Sequence, residues 1–171
     1  ALPIWQKTLR YLPTLQSKPT IIKNADIEIF DVMILNEKGR KVNLLQTGKY
    51  YTYQYKVKFN DNFERVGFGT QFKTRQGLSL SGINSWQNKK QTLHHPDKNQ
   101  EFLFNLKFQC ALLHGEYFLN AGISTHPLGK ERLFLIRNID ILAFSVQSVA
   151  DSFFGGMISQ NYSLSVEVCD E

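Results

Sequence analysis

The chain has 171 residues, 42% hydrophobic and 20% charged, which suffices for a single domain with a sizeable core and excludes an intrinsically disordered polymer. Its net charge of +5 comes from Lys and Arg residues spread along the sequence, so no massed basic patch of the nucleic-acid-binding kind is present. The two cysteines, Cys110 and Cys169, are far apart and form no CxxC pair, no apolar run is long enough to span a bilayer, and no signal peptide opens the chain, all of which fits a reducing, cytosolic location.

Residues 1–24 hold three of the five prolines, Pro3, Pro13 and Pro19, and show no hydrophobic period. Proline interrupts helices, so this segment reads as an extended arm or linker. Its apolar residues Trp5, Leu9, Tyr11 and Leu12 suit packing on a neighbouring surface. From residue 25 to 171 the chain reads as one domain of successive strands. Over 27–35 the apolar phase switches between Ile27/Ile29 and Val32/Ile34, which predicts a bulge near Phe30–Asp31. Turns follow at 36–39 and 47–49. Tyr51, Tyr53, Tyr55, Val57 and Phe59 then alternate with polar residues, a strong strand signal.

Residues 66–85 predict two strands joined at Arg75–Gln76–Gly77. Val66, Phe68, Thr70, Phe72 and Thr74 make a core face, and Gly67, Gly69, Gln71, Lys73 and Arg75 occupy the other. Two glycines on one face leave a shallow trough, and Gln71, Lys73 and Arg75 line it with donors, a suitable floor for a flat polar ligand such as a sugar. The alternative is that these glycines permit a bulge or sharp twist. A polar loop fills 86–99. Strands follow over 102–108 and 117–123, the second with Phe118, Asn120, Gly122 and Ser124 on its non-core face. A turn falls at 126–129, a strand phase at Leu142, Phe144 and Val146, a bend at 154–157, and a last strand at 162–168. No amphipathic helical stretch stands out. About eight short strands separated by turn signals predict an all-β fold, a β-sandwich preceded by an extended arm.

The searched-for chemistry is missing. There is no GxxxxGK[ST] loop and no GxSxG elbow, and Gly67–Phe68–Gly69 is a lone GxG with no helix after it. His94 and His95 are adjacent, so on an extended segment they point apart, and no spaced second pair completes a metal site. The carboxylates are scattered and give no glycosidase pair. No catalytic residue, cofactor or metal is expected, and the chain reads as a non-enzyme.

The ordered set of weak motifs resembles one family, the C-terminal domain of Wzt, the nucleotide-binding subunit of bacterial O-antigen polysaccharide ABC exporters. The resemblance runs over about 25–168 and rests on IEIFDVMILNEKGRKV (27–42), LLQTGKYYTYQYKVKF (44–59), VGFGTQFKTRQGLSLSGINS (66–85), LLHGEYFLNAGI (112–123) and FGGMISQNYSLSVE (154–167). It implies immunoglobulin-like topology and recognition of the non-reducing end of a lipid-linked O-polysaccharide at the inner face of the inner membrane. It also implies an upstream ATPase domain joined through residues 1–24, a separate membrane channel subunit, and a homodimer formed through the C-terminal strand. The loop at 86–99 carries no motif of the family.

Sugar recognition asks for planar hydrogen-bonding side chains and an aromatic platform on a shallow face. The candidates on the non-core phase are Gln71, Lys73, Arg75, Ser79, Ser81, Asn84, Trp86, Phe118 and Asn120, with His94, His95 and Arg132 as weaker ones from loops. The alternative is an immunoglobulin-like protein-interaction domain, which predicts a flatter, larger apolar patch instead of a polar trough.

Overall fold

A computed structural model describes residues 11–88, 91–147, 155–160 and 163–166. Among the described residues eleven strands run β1 (Thr20–Lys23), β2 (Ile27–Asn36), β3 (Lys41–Val42), β4 (Leu44–Gln46), β5 (Tyr50–Phe59), β6 (Arg65–Thr74), β7 (Ser79–Asn84), β8 (Leu93–His94), β9 (Glu101–Gln109), β10 (Gly115–Thr125) and β11 (Leu133–Gln147). They form two packed sheets, an immunoglobulin-like sandwich. One sheet is ordered β1-β11-β10-β6-β7, with β4 on β11 and β8 on β6; the other is β3-β2-β5-β9. All pairings are antiparallel except β4 with β11.

The period-2 segments behave as their sequences dictate. In β5 every second residue from Tyr51 to Phe59 is buried. In β6 Val66, Phe68, Thr70, Phe72 and Thr74 are buried and face β5 across the core. The predicted bulge in β2 is present. The register with β5 shifts between Phe30 and Met33, and Asp31 takes φ +51. At the turns, Gly39, Gly48, Gly77 and Gly129 all have positive φ, the conformation glycine adopts without a Cβ clash.

The strand count exceeds the expected eight because β1, β3, β4 and β8 have two to four residues each, too few to show alternation. Thr20–Lys23, read from sequence as part of the arm, pairs with Lys23 opposite Ile136 and Thr20 opposite Ile139. The rest of the described arm docks through Asn43, which is buried. Asn43 Oδ1 accepts from the Leu12 N–H at 2.6 Å, and Asn43 Nδ2 donates to the Leu12 carbonyl at 2.8 Å. Trp5 and Leu9 lie outside the described residues. The strand expected at 162–168 has 163–166 described, and these four form none; its other residues, and Cys169, lie outside the described residues. Cys110 is buried as a free thiol, and burial raises its pKa.

The core is aromatic. Tyr55 stacks on Phe104 at 4.5 Å between centroids, and Phe144 packs on Tyr117 and edge-on to Phe72. Buried hydroxyls need partners. Tyr53 donates to the Asn120 carbonyl (3.2 Å) and Tyr55 to the Gly69 carbonyl (3.0 Å), both across the sandwich. Burial is the main cause that lifts both phenols above the ordinary 10.0. The unfolded chain therefore ionises first. Stability is full below pH 10.0 and falls as pH rises above it, by up to about 1.4 kcal/mol per pH unit for each such tyrosine. Urea unfolding on either side of that value will show this alkaline loss, and Tyr55→Phe will make the decline shallower.

Candidate functional site

The outer face of the larger sheet follows from register, since paired residues share a face. Gly69 of β6 sits opposite Gly122 of β10, Gly122 opposite Arg137 of β11, and Gly69 also opposite Asn84 of β7. One row across the sheet thus reads Asn84, Gly69, Gly122, Arg137. In the next, Gln71 faces Gly82. In the row on the other side, Gly67 faces Ser124, and Ser124 faces Phe134. Glycines Gly69, Gly82 and Gly122 make a floor between taller side chains. The result is an open groove of about 260 Å³, with Arg132, Phe134 and Arg137 along one side and Gln71, Asn84 and Asn120 around the remainder. That is just under the roughly 300–1,000 Å³ of typical small-molecule sites.

None of the three floor glycines has positive φ; Gly69 and Gly82 sit at no register shift, while Gly122, in register with Arg137, lies between the two shifts of the β10–β11 pair. Backbone conformation is not what requires them. A Cβ on Gly82 would meet nothing within 4 Å, and one on Gly122 would have only the Ile136 carbonyl oxygen, at 3.6 Å. Any larger residue would project into the groove. Open space over the sheet is what these glycines provide.

Gly67 has a different role. A Cβ there would collide with the indole of Trp86, which lies flat against the strand. Trp86 Nε1 donates to Ser124 Oγ at 2.8 Å, the Arg65 guanidinium sits 5.1 Å from the ring centroid, and His126 meets the ring edge-on. Arg65 Nε is buried without a hydrogen-bond partner, so this arginine is held mainly by its ring contact. The short turn carrying Trp86 is capped by Asn84, whose Oδ1 accepts from the Trp86 N–H at 3.1 Å.

The expected site residues are therefore divided. Gln71, Asn84 and Asn120 line the groove, as does Arg132 from the weaker set. Lys73 bonds Asp140 at 2.8 Å and Arg75 bonds Glu116 at 2.7 Å, so both are held in ion pairs and neither lines the groove. Ser81 pairs with Phe72, which puts it on the core-side face, opposite to Gln71. Ser79 pairs with Lys73 beyond a register shift. Trp86 braces one end through Ser124 without lining the groove. Phe118 does lie on the outer face, between Lys73 and Ala143, but the Gln71–Asn120 row separates it from the groove. His94 is in β8, opposite Arg65. Among the described residues no three His, Cys, Asp or Glu side chains gather as metal ligands.

Sequence reading missed Phe134 and Arg137. They lie in the first half of β11, where LFLIRNIDIL shows no clean alternation. The cause is two irregularities, one between Ile123 and Ser124 in the β10 register and one at Asp140, which takes φ +57. The unbroken apolar run Leu133–Ile136 was the available signal of a strand, of which Leu135 and Ile136 are buried and Leu133 and Phe134 exposed.

Arg137 and Arg132 stand 4.7 and 5.7 Å from the Phe134 ring centroid. Asn120 joins the groove to the fold. Its Nδ2 donates to Gln71 Oε1 at 3.1 Å, its Oδ1 accepts from the Asp140 N–H at 2.8 Å, and its carbonyl accepts from both Thr70 and Tyr53.

This fold and face define a class: an immunoglobulin-like sandwich domain with an open, glycine-floored groove on one sheet. Residues 19–160 match the family described as the Wzt C-terminal domain, and the chain belongs to that family. Among solved structures, the crystal structure of the C-terminal domain of wzt superposes with a TM-score of 0.76 at 22% identity, over 96% of this chain and 95% of that one, and so shares the fold. No curated protein matches the chain.

Replacing Gly67 by Ala forces Trp86 off the strand. We expect a loss of about 1–3 kcal/mol in chemical denaturation, typical of overpacking, and a displaced Trp86 indole N–H resonance. An unmoved resonance would contradict the packing described here.

Proposed function

We propose that this domain recognises the non-reducing end of a lipid-linked O-antigen polysaccharide and selects it for export by an ABC transporter, without catalysing a reaction itself. The observation that carries this reading is the groove. Three glycines open a flat floor, planar amides and guanidiniums surround it, and Phe134 supplies a ring at its edge. A pyranose offers hydroxyls around its rim and an apolar face, which such a surface can match. Membership of the Wzt C-terminal domain family supports the same assignment. The concave, polar character of the groove favours a glycan over a protein partner, whose interface would call for a flatter and more apolar centre.

On this reading residues 1–24 connect the domain to an upstream ATPase domain, and the Asn43–Leu12 contacts tether that connection to the sandwich. The domain works as a homodimer at the cytoplasmic face of the inner membrane, beside the channel subunit, and needs no cofactor.

Titration calorimetry with the O-polysaccharide of the source strain, beside an unrelated glycan, tests the reading. Selective heat from the cognate polymer is expected. Gly122→Leu, which fills the floor, should abolish that heat while leaving the unfolding midpoint near that of the parent. Absence of cognate binding in a folded sample would discard the glycan assignment.

A further inference from the structure

The β11 wall of the groove, which carries Phe134 and Arg137, is closed on its outer side by the N-terminal arm. Arg137 has Gly122 of β10 on one side and Ile22 of β1 on the other. Asn24, just past β1, holds the same stretch of β11. Its N–H donates to the Leu135 carbonyl at 2.8 Å, and its Nδ2 donates to the Phe134 carbonyl at 3.1 Å. Among the described residues β1 is the outermost strand on that side, so without it residues 134–139 would themselves be a sheet edge.

Alone, β1 is poorly equipped to stay in place. Its four residues are all exposed, so no buried side chain backs its ladder. Thr20 faces Ile139, and one residue further back the register brings Pro19 level with Asp140. There the ladder ends from both sides: proline has no N–H, and the Asp140 N–H is donated to Asn120. Before that point the arm stands off from β11, with a hollow of about 250 Å³ lined by Leu15 and Ser17 of the arm and by Ile141 and Ala143 of the strand. Attachment resumes at Leu12, whose N–H and carbonyl both bond the buried Asn43 side chain, and at Tyr11, whose ring lies 5.2 Å from Lys41 Nζ. Asn43 is in turn bound to β11, since its carbonyl accepts from the Ser145 N–H at 2.8 Å. The arm is thus a strap along one strand, pinned at Asn43 and again from Thr20 to Asn24.

We infer that the docked arm positions the groove wall. Pinned at both places, it holds the β11 segment that bears Phe134 and Arg137, and undocking it at Asn43 loosens β1 and with it that segment. Asn43 bonds main-chain atoms of Leu12, so the pin depends on the path of the arm rather than on its side chains. A wall already held in its binding position loses less entropy when a ligand engages it. On the carbohydrate reading above, groove occupancy and arm docking therefore strengthen each other by the same factor.

Amide hydrogen exchange of the 171-residue chain, followed by NMR, tests the coupling without a ligand. Asn43→Ala removes the pin from the sandwich. Leu12→Pro removes the N–H from the arm and leaves the sandwich intact, so it decides the matter if the buried substitution impairs folding. Each is expected to speed exchange about tenfold, the change that one or two hydrogen bonds make, in β1 and also in residues 134–139. Tyr53 and Tyr55, in the middle of the other sheet, should keep the parent rates. Faster exchange confined to the arm would overturn the inference. So would an equal rise throughout the chain, which is the mark of lowered global stability. The O-polysaccharide of the source strain gives a second readout: it should slow exchange in β1 of the parent, and Leu12→Pro should weaken its binding. Polysaccharide binding that leaves β1 exchange unchanged would also overturn the inference. If the polysaccharide does not bind the parent, the glycan assignment falls, and exchange at residues 134–139 alone decides the coupling.

Discussion

Two phenol hydroxyls that cross the core hold this molecule in its working shape. Tyr53 and Tyr55 belong to the four-stranded sheet, yet their hydroxyls end on the Asn120 and Gly69 carbonyls of the opposite sheet. Both carbonyls belong to residues that form the groove. A buried hydroxyl without a partner costs on the order of 1–3 kcal/mol, so each bond also fixes where the opposing strand can sit. The groove is thus anchored from beneath by residues that never touch a ligand.

Irregularities in two strands shape the surface above that anchor. Between Leu119 and Ala121 the β10–β11 register shifts, and Asp140 takes a positive φ at the same level. The shift turns the Asp140 N–H toward Asn120, while Lys73 takes its carboxylate. One local break in pairing therefore orients an amide, removes a negative charge from the vicinity, and through Asn120 orients Gln71. Conformations of this kind persist only where the surroundings over-determine them. Here the surroundings are Thr70 and Tyr53 on one side and Lys73 on the other.

Much of this was legible from residue patterns. The alternation in β5 and β6 depends only on the two-residue period of a strand, and the phase switch at Phe30–Asp31 depends on the same rule being broken. The glycine pair at Gly67 and Gly69 marked the right face, but one of the two serves Trp86 and the other the groove. Ser81 defeated the pattern because a register shift between Phe72 and Lys73 changes which β7 residues face outward. Lys73 and Arg75 defeated it because their partners, Asp140 and Glu116, are distant in sequence.

The sequence by itself determined the all-β character, the core-facing residues and the turns, because these follow from side-chain size and backbone freedom within a few neighbouring positions. Its ordered motifs also pointed to the family. Tertiary structure alone decided the composition of the groove. Gly82, Gly122, Phe134 and Arg137 come from three strands whose adjacency is set by sheet order, and the donors they surround were oriented by contacts such as Asp140 with Asn120, 20 residues apart. A pattern with a period of two cannot encode which strand lies next to which, and that adjacency places the arginines beside the glycines.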